Sequence, residues 1–393
     1  MELNWKRVLP ALTTALIACA GLHADNTDCC PRPCPPKPCC VPTCCPPVVE
    51  DCCNVCPPCT TVTPNGGPCV MNGNDMFITA DFLWWGVRQE GLEYAMTPTS
   101  PTSTSTTAPS KGKIYHPSTG WNPGFKVGIG TDLDHDGWDL YAQYTWYQAK
   151  HHHHHNHSSG TSSSTPTFTT PVVNDAYWFV GDSVNDSVSS YASASEKWKL
   201  NFDVLDLEMG RNMYLSPRLQ FRPFFGLKGA WQKQHLHLAF NSVPFFGSVG
   251  SNYMNNHLKM SGVGVRGGFD TAWHFTRGFS LVGDLAFTGL WEYVKGSRKD
   301  TSSTVTGGVT STPVTNVYIS EHCTSVKPIL EWAIGLRYEF WTCGDDYHFA
   351  FEADWEAQNW FGQNQFIRLP GSANAEGQDL GLQGLTFQVR FDF

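Results

Sequence analysis

The last ten residues, Gly384 to Phe393 (GLTFQVRFDF), divide strictly between two chemical faces. Leu385, Phe387, Val389, Phe391 and Phe393 fall on one side, Thr386, Gln388, Arg390 and Asp392 on the other. Successive strand side chains point to opposite faces, so this pattern demands a strand with one apolar and one polar environment. The same texture recurs. Trp138, Leu140, Ala142, Tyr144 and Trp146 oppose Asp139, Tyr141, Gln143, Thr145 and Tyr147. Leu330, Trp332, Ile334, Leu336, Tyr338 and Phe340 oppose Glu331, Arg337 and Glu339, and Tyr347, Phe349, Phe351, Ala353 and Trp355 oppose His348, Glu352, Asp354 and Glu356. The chain is all-β.

Two all-β classes fit such strands, a secreted sandwich and an outer-membrane barrel. Residues 1–24 carry Lys6 and Arg7, the apolar run VLPALTTALIACAGL and a small-residue end, as expected of a signal peptide cut after Ala24. LIAC, ending at Cys19, also resembles a lipoprotein cleavage box. Either cut exports the chain. No later stretch holds about 18 consecutive apolar residues, which excludes a helical membrane protein. Yet 13% of residues are aromatic and only 16% charged. Trp and Tyr gather near the ends of the apolar faces, as in the aromatic girdles of outer-membrane barrels. The net charge of -9 argues against a nucleic-acid partner.

The connections favour the barrel. Strands are expected near 76–86, 122–132, 137–149, 196–213, 219–233, 257–275, 279–295, 326–341, 347–361 and 383–393. DHDG, YLSPR, TRG and TCGDD read as tight turns; long Ser/Thr/Asn/Gly-rich loops are expected near 97–120, 150–195, 241–256, 297–324 and 362–380. Short turns at one end and long loops at the other are the barrel arrangement. The fold class is therefore a transmembrane antiparallel up-and-down β-barrel of about 10 strands over 75–393, preceded by an extended Cys/Pro-rich periplasmic arm over 25–74. The run AYWFVGDSV would raise the count to twelve. The terminal Phe393 resembles the assembly signal of bacterial outer-membrane barrels.

The stretches DFLWWGVRQEGLEYA, GFKVGIGTDLDHDGWDLYAQYTWY and EADWEAQNWFGQNQF resemble the Legionella-type pore-forming major outer membrane proteins, a family that includes porin-like proteins of chlamydia-like bacteria. The resemblance covers most of 76–393. It implies a bacterial outer-membrane location, contact with outer-membrane lipid and passage of ions and small hydrophilic solutes. Some members are surface proteins linked to adhesion and envelope rigidity, which implies an alternative: a closed barrel serving as an anchor.

The polar faces decide between these. Lys126, Asp139, Arg266, Glu331, Arg337, Glu339, Glu352, Asp354, Glu356 and Arg390 are the expected lumen charges. Paired across a narrow bore they plug it; separated on opposing walls they set ion selectivity. Ten strands leave a narrow channel at most. No cofactor is expected. No nucleophile elbow, zinc-protease helix or phosphate loop occurs, and Asp284 and His274 read as lumen or rim residues. His151, His152, His153, His154, His155 and His157 form a tract that reads as a polar loop tip, with metal binding the lesser alternative. Asp132, Asp134, Asp136 and Gly137 mimic a calcium loop, but Gln143 stands where a bidentate Glu is required.

Twelve cysteines crowd the arm: Cys29, Cys30, Cys34, Cys39, Cys40, Cys44, Cys45, Cys52, Cys53, Cys56, Cys59 and Cys69. In an oxidising compartment disulfides persist. CCNVCPPC has zinc-like spacing, but dense prolines favour an extended path over a tetrahedral cage. Adjacent cysteines lie only about 3.8 Å apart at Cα, below the disulfide range, so each member of a doublet looks elsewhere. The expectation is cross-linking to other cysteine-rich envelope proteins or to copies of the chain. Cys343, in a short turn, is expected on the arm's side, where it can form a disulfide with an arm cysteine. Cys323 lies about 17 strand residues away, near the other end, so the two should not pair.

Overall fold

The structure, a computed structural model, describes residues 66–68, 70, 75–98, 112–117, 120–133, 137–156, 173–175, 190–242, 248–276, 278–342, 346–368 and 377–393. The signal segment, the arm cysteines, Cys343, His157, Asp134, Asp136 and the 176–184 run lie outside these, as do the side chains of His153, His154 and His155. Contacts divide the chain into Met1–Thr60 and Thr61–Phe393, and every described residue belongs to the second unit.

Ten strands form the wall: β1 Met76–Gln89, β2 Trp121–Asp132, β3 Trp138–Asn156, β4 Ser190–Arg211, β5 Leu219–Ser242, β6 Ser248–His274, β7 Phe279–Thr306, β8 Val314–Thr342, β9 Tyr347–Trp360 and β10 Leu380–Asp392. Each pairs antiparallel with its sequence neighbours, and β1 pairs with β10 from Phe77↔Asp392 to Gln89↔Leu380, closing the ring. Closure leaves the ring no free sheet edge. The Phe393 amide donates to the Met76 carbonyl at 3.0 Å, and Met76 returns the bond at 3.3 Å. Short strands at Ala95–Pro98, Gly112–Tyr115, Val173–Asp175, Met213–Ser216 and Val309–Thr310 add to the margins.

Four of the five loop expectations give way in part to strand. Residues 150–156, 248–256, 297–306 and 314–324 extend wall strands, with short strands inside 97–120 and 150–195. The cause is a change of phase. Low on β5, exposed Phe225 and Leu227 occupy the outward face; higher up, the buried Leu236, Leu238 and Phe240 occupy the inward one. β6 does the same, with Val263, Val265 and Phe269 outward and Met254, Leu258 and Met260 inward. The backbone alternation continues while the apolar residues change sides.

The wall is uneven. β1, β2, β9 and β10 have 12 to 14 residues, whereas β6, β7 and β8 have 27, 28 and 29. A tilted strand crosses a bilayer in about 9–11 residues, so the tall side projects well beyond it. Tight curvature forces glycine onto the inner face: a Cβ on Gly226 would lie 1.9 Å from the Leu207 carbonyl oxygen of β4.

Candidate functional site

The bore has two storeys. In the lower one, near the short turns, all ten expected lumen charges lie on the inward face. Lys126 of β2 meets Glu356 of β9 at 2.7 Å, with β1 and β10 between them. Lys228 of β5 bridges Asp206 at 2.8 Å and Glu331 of β8 at 3.1 Å. Arg266 joins Glu208 at 2.9 Å and also contacts Glu331. Asp139 accepts from Arg222 at 2.5 Å, and Arg222 reaches Asp270 at 2.7 Å. Arg337 pairs with Glu352 at 2.7 Å. Arg390 and His348 share Asp392, each at 2.6 Å, while Glu339 lies 3.4 Å from His274 and 3.8 Å from His348. Asp354 is buried between Glu352 and Glu356 on the same face of β9. Buried charges are tolerated when paired and hydrogen-bonded, which is the state of these pairs, whereas the buried Asp354 Oδ1 makes no hydrogen bond to the described residues.

Sequence reasoning missed Lys228, Arg222, Asp206, Glu208, Asp81 and Asp392. Their signal was present, since each stands in the polar phase of its strand below the phase change.

The upper storey is an apolar core inside the barrel. Leu83, Trp85, Tyr147, Leu200, Leu258 and Ile329 are buried together there. Phe202 of β4 and Trp360 of β9 meet edge to face with centroids 5.2 Å apart. Those strands are five apart in a ring of ten, so this pair spans the full bore. Nearby, Gln234 of β5 donates to Gln89 of β1 at 3.2 Å, and Trp198 donates to Gln234 at 3.2 Å.

Two segments from the short side fold in above this level. Leu92, Tyr94 and Ala95, beyond β1, are buried. Burial pushes the Tyr94 hydroxyl pKa up, which keeps it protonated. After β9, Gln363, Asn364, Phe366 and Ile367 are also buried, where an outward loop over 362–380 was expected. The tall wall supplies their anchors. Gln363 donates to Glu292 at 3.2 Å, and the Ile367 carbonyl accepts from Asn256 at 2.9 Å and Arg298 at 3.2 Å. Asn364 donates to the Glu90 carbonyl at 2.7 Å, tying the two segments together. Apolar residues on the tall wall's inner face need cover, and these segments provide it.

The histidine tract is corrected from loop tip to strand. His151 turns inward to Glu196 and His152 lies exposed on the opposite face, so extended backbone separates neighbouring imidazoles. Among the described residues no group of three or more His, Cys, Asp or Glu is arranged to hold a metal. Gln143 lies in β3 and donates to Asp81 at 3.1 Å. Cys323 packs against the apolar core from the inner face of β8, an unbroken strand that runs down to Thr342.

The family model described as Legionella pneumophila major outer membrane protein precursor matches residues 67–393. No curated protein matches the sequence. Among solved structures, the chain is similar to the outer membrane protease OmpT of Escherichia coli, at 10% identity over 82% of this chain and 98% of that one, with a TM-score of 0.37. It is also similar to a major outer membrane protein of Thermus thermophilus, at 9% identity over 81% and 98% with a TM-score of 0.28. For the P. putida toluene transporter TodX the values are 10%, 82%, 91% and 0.26. These likenesses carry nothing about function, and the barrel rests on the strand pairing itself.

Proposed function

The chain belongs to the Legionella pneumophila major outer membrane protein family, and on that premise we propose that it is a surface protein anchored in the outer membrane by a barrel with an occluded bore. The observation that carries this reading is the Phe202–Trp360 contact across the whole diameter. The paired charges beneath it favour a plug over a selectivity filter, and favour structural over catalytic roles for the buried carboxylates. The tall side, with its polar outer face, is the part offered to the surroundings. The Cys/Pro-rich arm over 25–74 is assigned the periplasmic side, where it links by disulfides to cysteine-rich envelope proteins or to further copies of the chain. Gly66, the first described residue and within the last part of the arm, donates from its amide to the Asn212 carbonyl at 3.4 Å, at the short-turn end.

Planar-bilayer recording tests the occluded bore. The purified barrel is expected to insert without stepwise conductance, with or without reductant. Reproducible open steps would instead favour passive diffusion of ions and small hydrophilic solutes. The arm is tested separately: without reductant, whole envelopes are expected to give a disulfide-linked ladder that collapses when the arm cysteines are changed to serine.

A further inference from the structure

The outer face of the tall wall changes chemistry within one side-chain row. Trp231 of β5 stands opposite Ser261 of β6, which stands opposite Tyr293 of β7. Tyr293 and the neighbouring Trp291 are exposed on the outer face. Together with exposed Val263, Val265 and Phe287 below, they form the upper aromatic margin of the apolar band. Two residues further up each strand the outward positions become Lys233, Lys259 and Lys295. These three lysines are direct neighbours in register, Lys233↔Lys259↔Lys295. All three are exposed.

The row continues on one side, and a second basic row lies above it. Lys295 stands opposite His322 of β8. On the next row Lys199 of β4 stands opposite His235, which stands opposite His257. Like charges in directly opposed positions are unfavourable, because the side chains are held about 4.5–5.5 Å apart at Cβ. Ion pairs within these three strands do not relieve them. The outward residues of β5, β6 and β7 above the aromatic margin are Lys, His, Asn, Ser, Thr, Tyr, Ala and Val, with no carboxylate among the described side chains. Asp203 of β4, which stands opposite Trp231 one row lower, accepts from the Tyr144 hydroxyl at 2.7 Å. The molecule carries a net charge of -9, so this cationic patch runs against the whole-chain balance. It lies at the level where lipid headgroups meet an aromatic girdle, about 7 Å of strand above it.

We propose that Lys233, Lys259 and Lys295, flanked by Lys199, dock the phosphorylated headgroup of an outer-leaflet lipid. The ammonium groups act as point charges on the phosphate. The lipid's acyl chains run down the exposed Val263, Val265 and Phe287. That continuity from lysines to apolar band selects a membrane lipid over a free anion. Clusters of basic residues beside a membrane span attract anionic headgroups for the same reason. The placement takes the tall end as the outward one.

The test uses the full chain folded in a zwitterionic detergent, so it does not depend on orientation or conductance. The probe is an acylated glucosamine disaccharide bearing two phosphates, followed by native mass spectrometry. Its dephosphorylated form and inorganic phosphate are the comparison arms. The triple variant K233Q/K259Q/K295Q is expected to bind the phosphorylated lipid at least about tenfold more weakly, with an unchanged folded band on an unheated gel. The control K113Q/R218Q removes exposed charges outside the patch and is expected to bind like the parent. Equal binding by parent and triple variant overturns the proposal. So does a parent that fails to distinguish phosphorylated from dephosphorylated lipid, or a control that weakens as much as the triple variant. Displacement of the lipid by inorganic phosphate at equal concentration overturns the choice of a lipid.

Discussion

The lower and upper storeys of this barrel solve the same packing problem with opposite chemistry. Below the phase change the wall is apolar outside and charged inside, because lipid surrounds it and the interior can pair its charges. Above, the wall is polar outside and apolar inside, as in a water-soluble protein. One continuous strand serves both storeys: β5 carries Lys228 inward below and Leu236, Leu238 and Phe240 inward above. The environment around a strand therefore dictates which face is apolar, and the barrel continues unbroken across the change.

The largest effects follow from removing one member of each interior. Lys228→Met leaves Asp206 and Glu331 around an uncharged side chain and is expected to cost about 3–5 kcal/mol in urea unfolding from lipid vesicles. Adding Asp206→Leu to that variant recovers part of the loss, since one uncompensated charge disappears with it. Recovery is the sign of an electrostatic interior. In the upper storey Trp360→Ala is expected to cost about 3 kcal/mol through lost burial and the cavity against Phe202. Phe202→Leu added to Trp360→Ala deepens that loss, because no charge remains to be relieved. A recovery there, or none for the Lys228 pair, breaks the contrast between storeys.

A smaller effect distinguishes the outer faces on a single strand. Val265→Lys puts a charge into the apolar band of β6 and is expected to cost about 2–4 kcal/mol near the bilayer midplane. Tyr253→Lys, on the same outward face in the upper part of β6, is expected to stay within about 0.5 kcal/mol of the parent. Equal costs would mean that lipid also surrounds the upper storey.

The positions of all ten wall strands were legible because each crosses the lipid-facing band, where outward apolar residues give a clean period of two. The lengths of the tall-wall strands were not, while those of β1, β2, β9 and β10 were read to within three residues at each end. The expected strand 219–233 ends where Gln232, Lys233 and Gln234 mark the change of phase, whereas β5 continues to Ser242. Likewise SRKDTSSTVT reads as a loop, yet it pairs with β8 across Ser297↔Ser320 and its neighbours, because hairpin partners supply the hydrogen bonds that composition does not reveal. The ten lumen charges were legible by face. Their partners were not, since Lys126 meets Glu356 across two intervening strands, and cross-bore distances depend on barrel diameter and strand stagger. The Phe202–Trp360 contact is hidden for the same reason: both residues lay in expected strands, but nothing local states that strands five apart touch.

The smallest effect concerns the cover over the upper storey. The Asn364 side chain donates to the Glu90 carbonyl, and its own oxygen accepts from the Phe366 amide at 3.2 Å. Asn364→Ala removes both bonds while leaving Phe366 and Ile367 their apolar burial, so a loss of about 1 kcal/mol is expected. Hydrogen exchange should register it locally, with faster exchange at residues 361–368 and unchanged protection in the lower strands. The outcome separates two ways of holding the segment. If burial of Phe366 and Ile367 dominates, exchange rises modestly and the bore stays shut. Conductance appearing in this variant would show that the hydrogen-bonded tie to the short wall, rather than the apolar core beneath it, keeps the barrel closed.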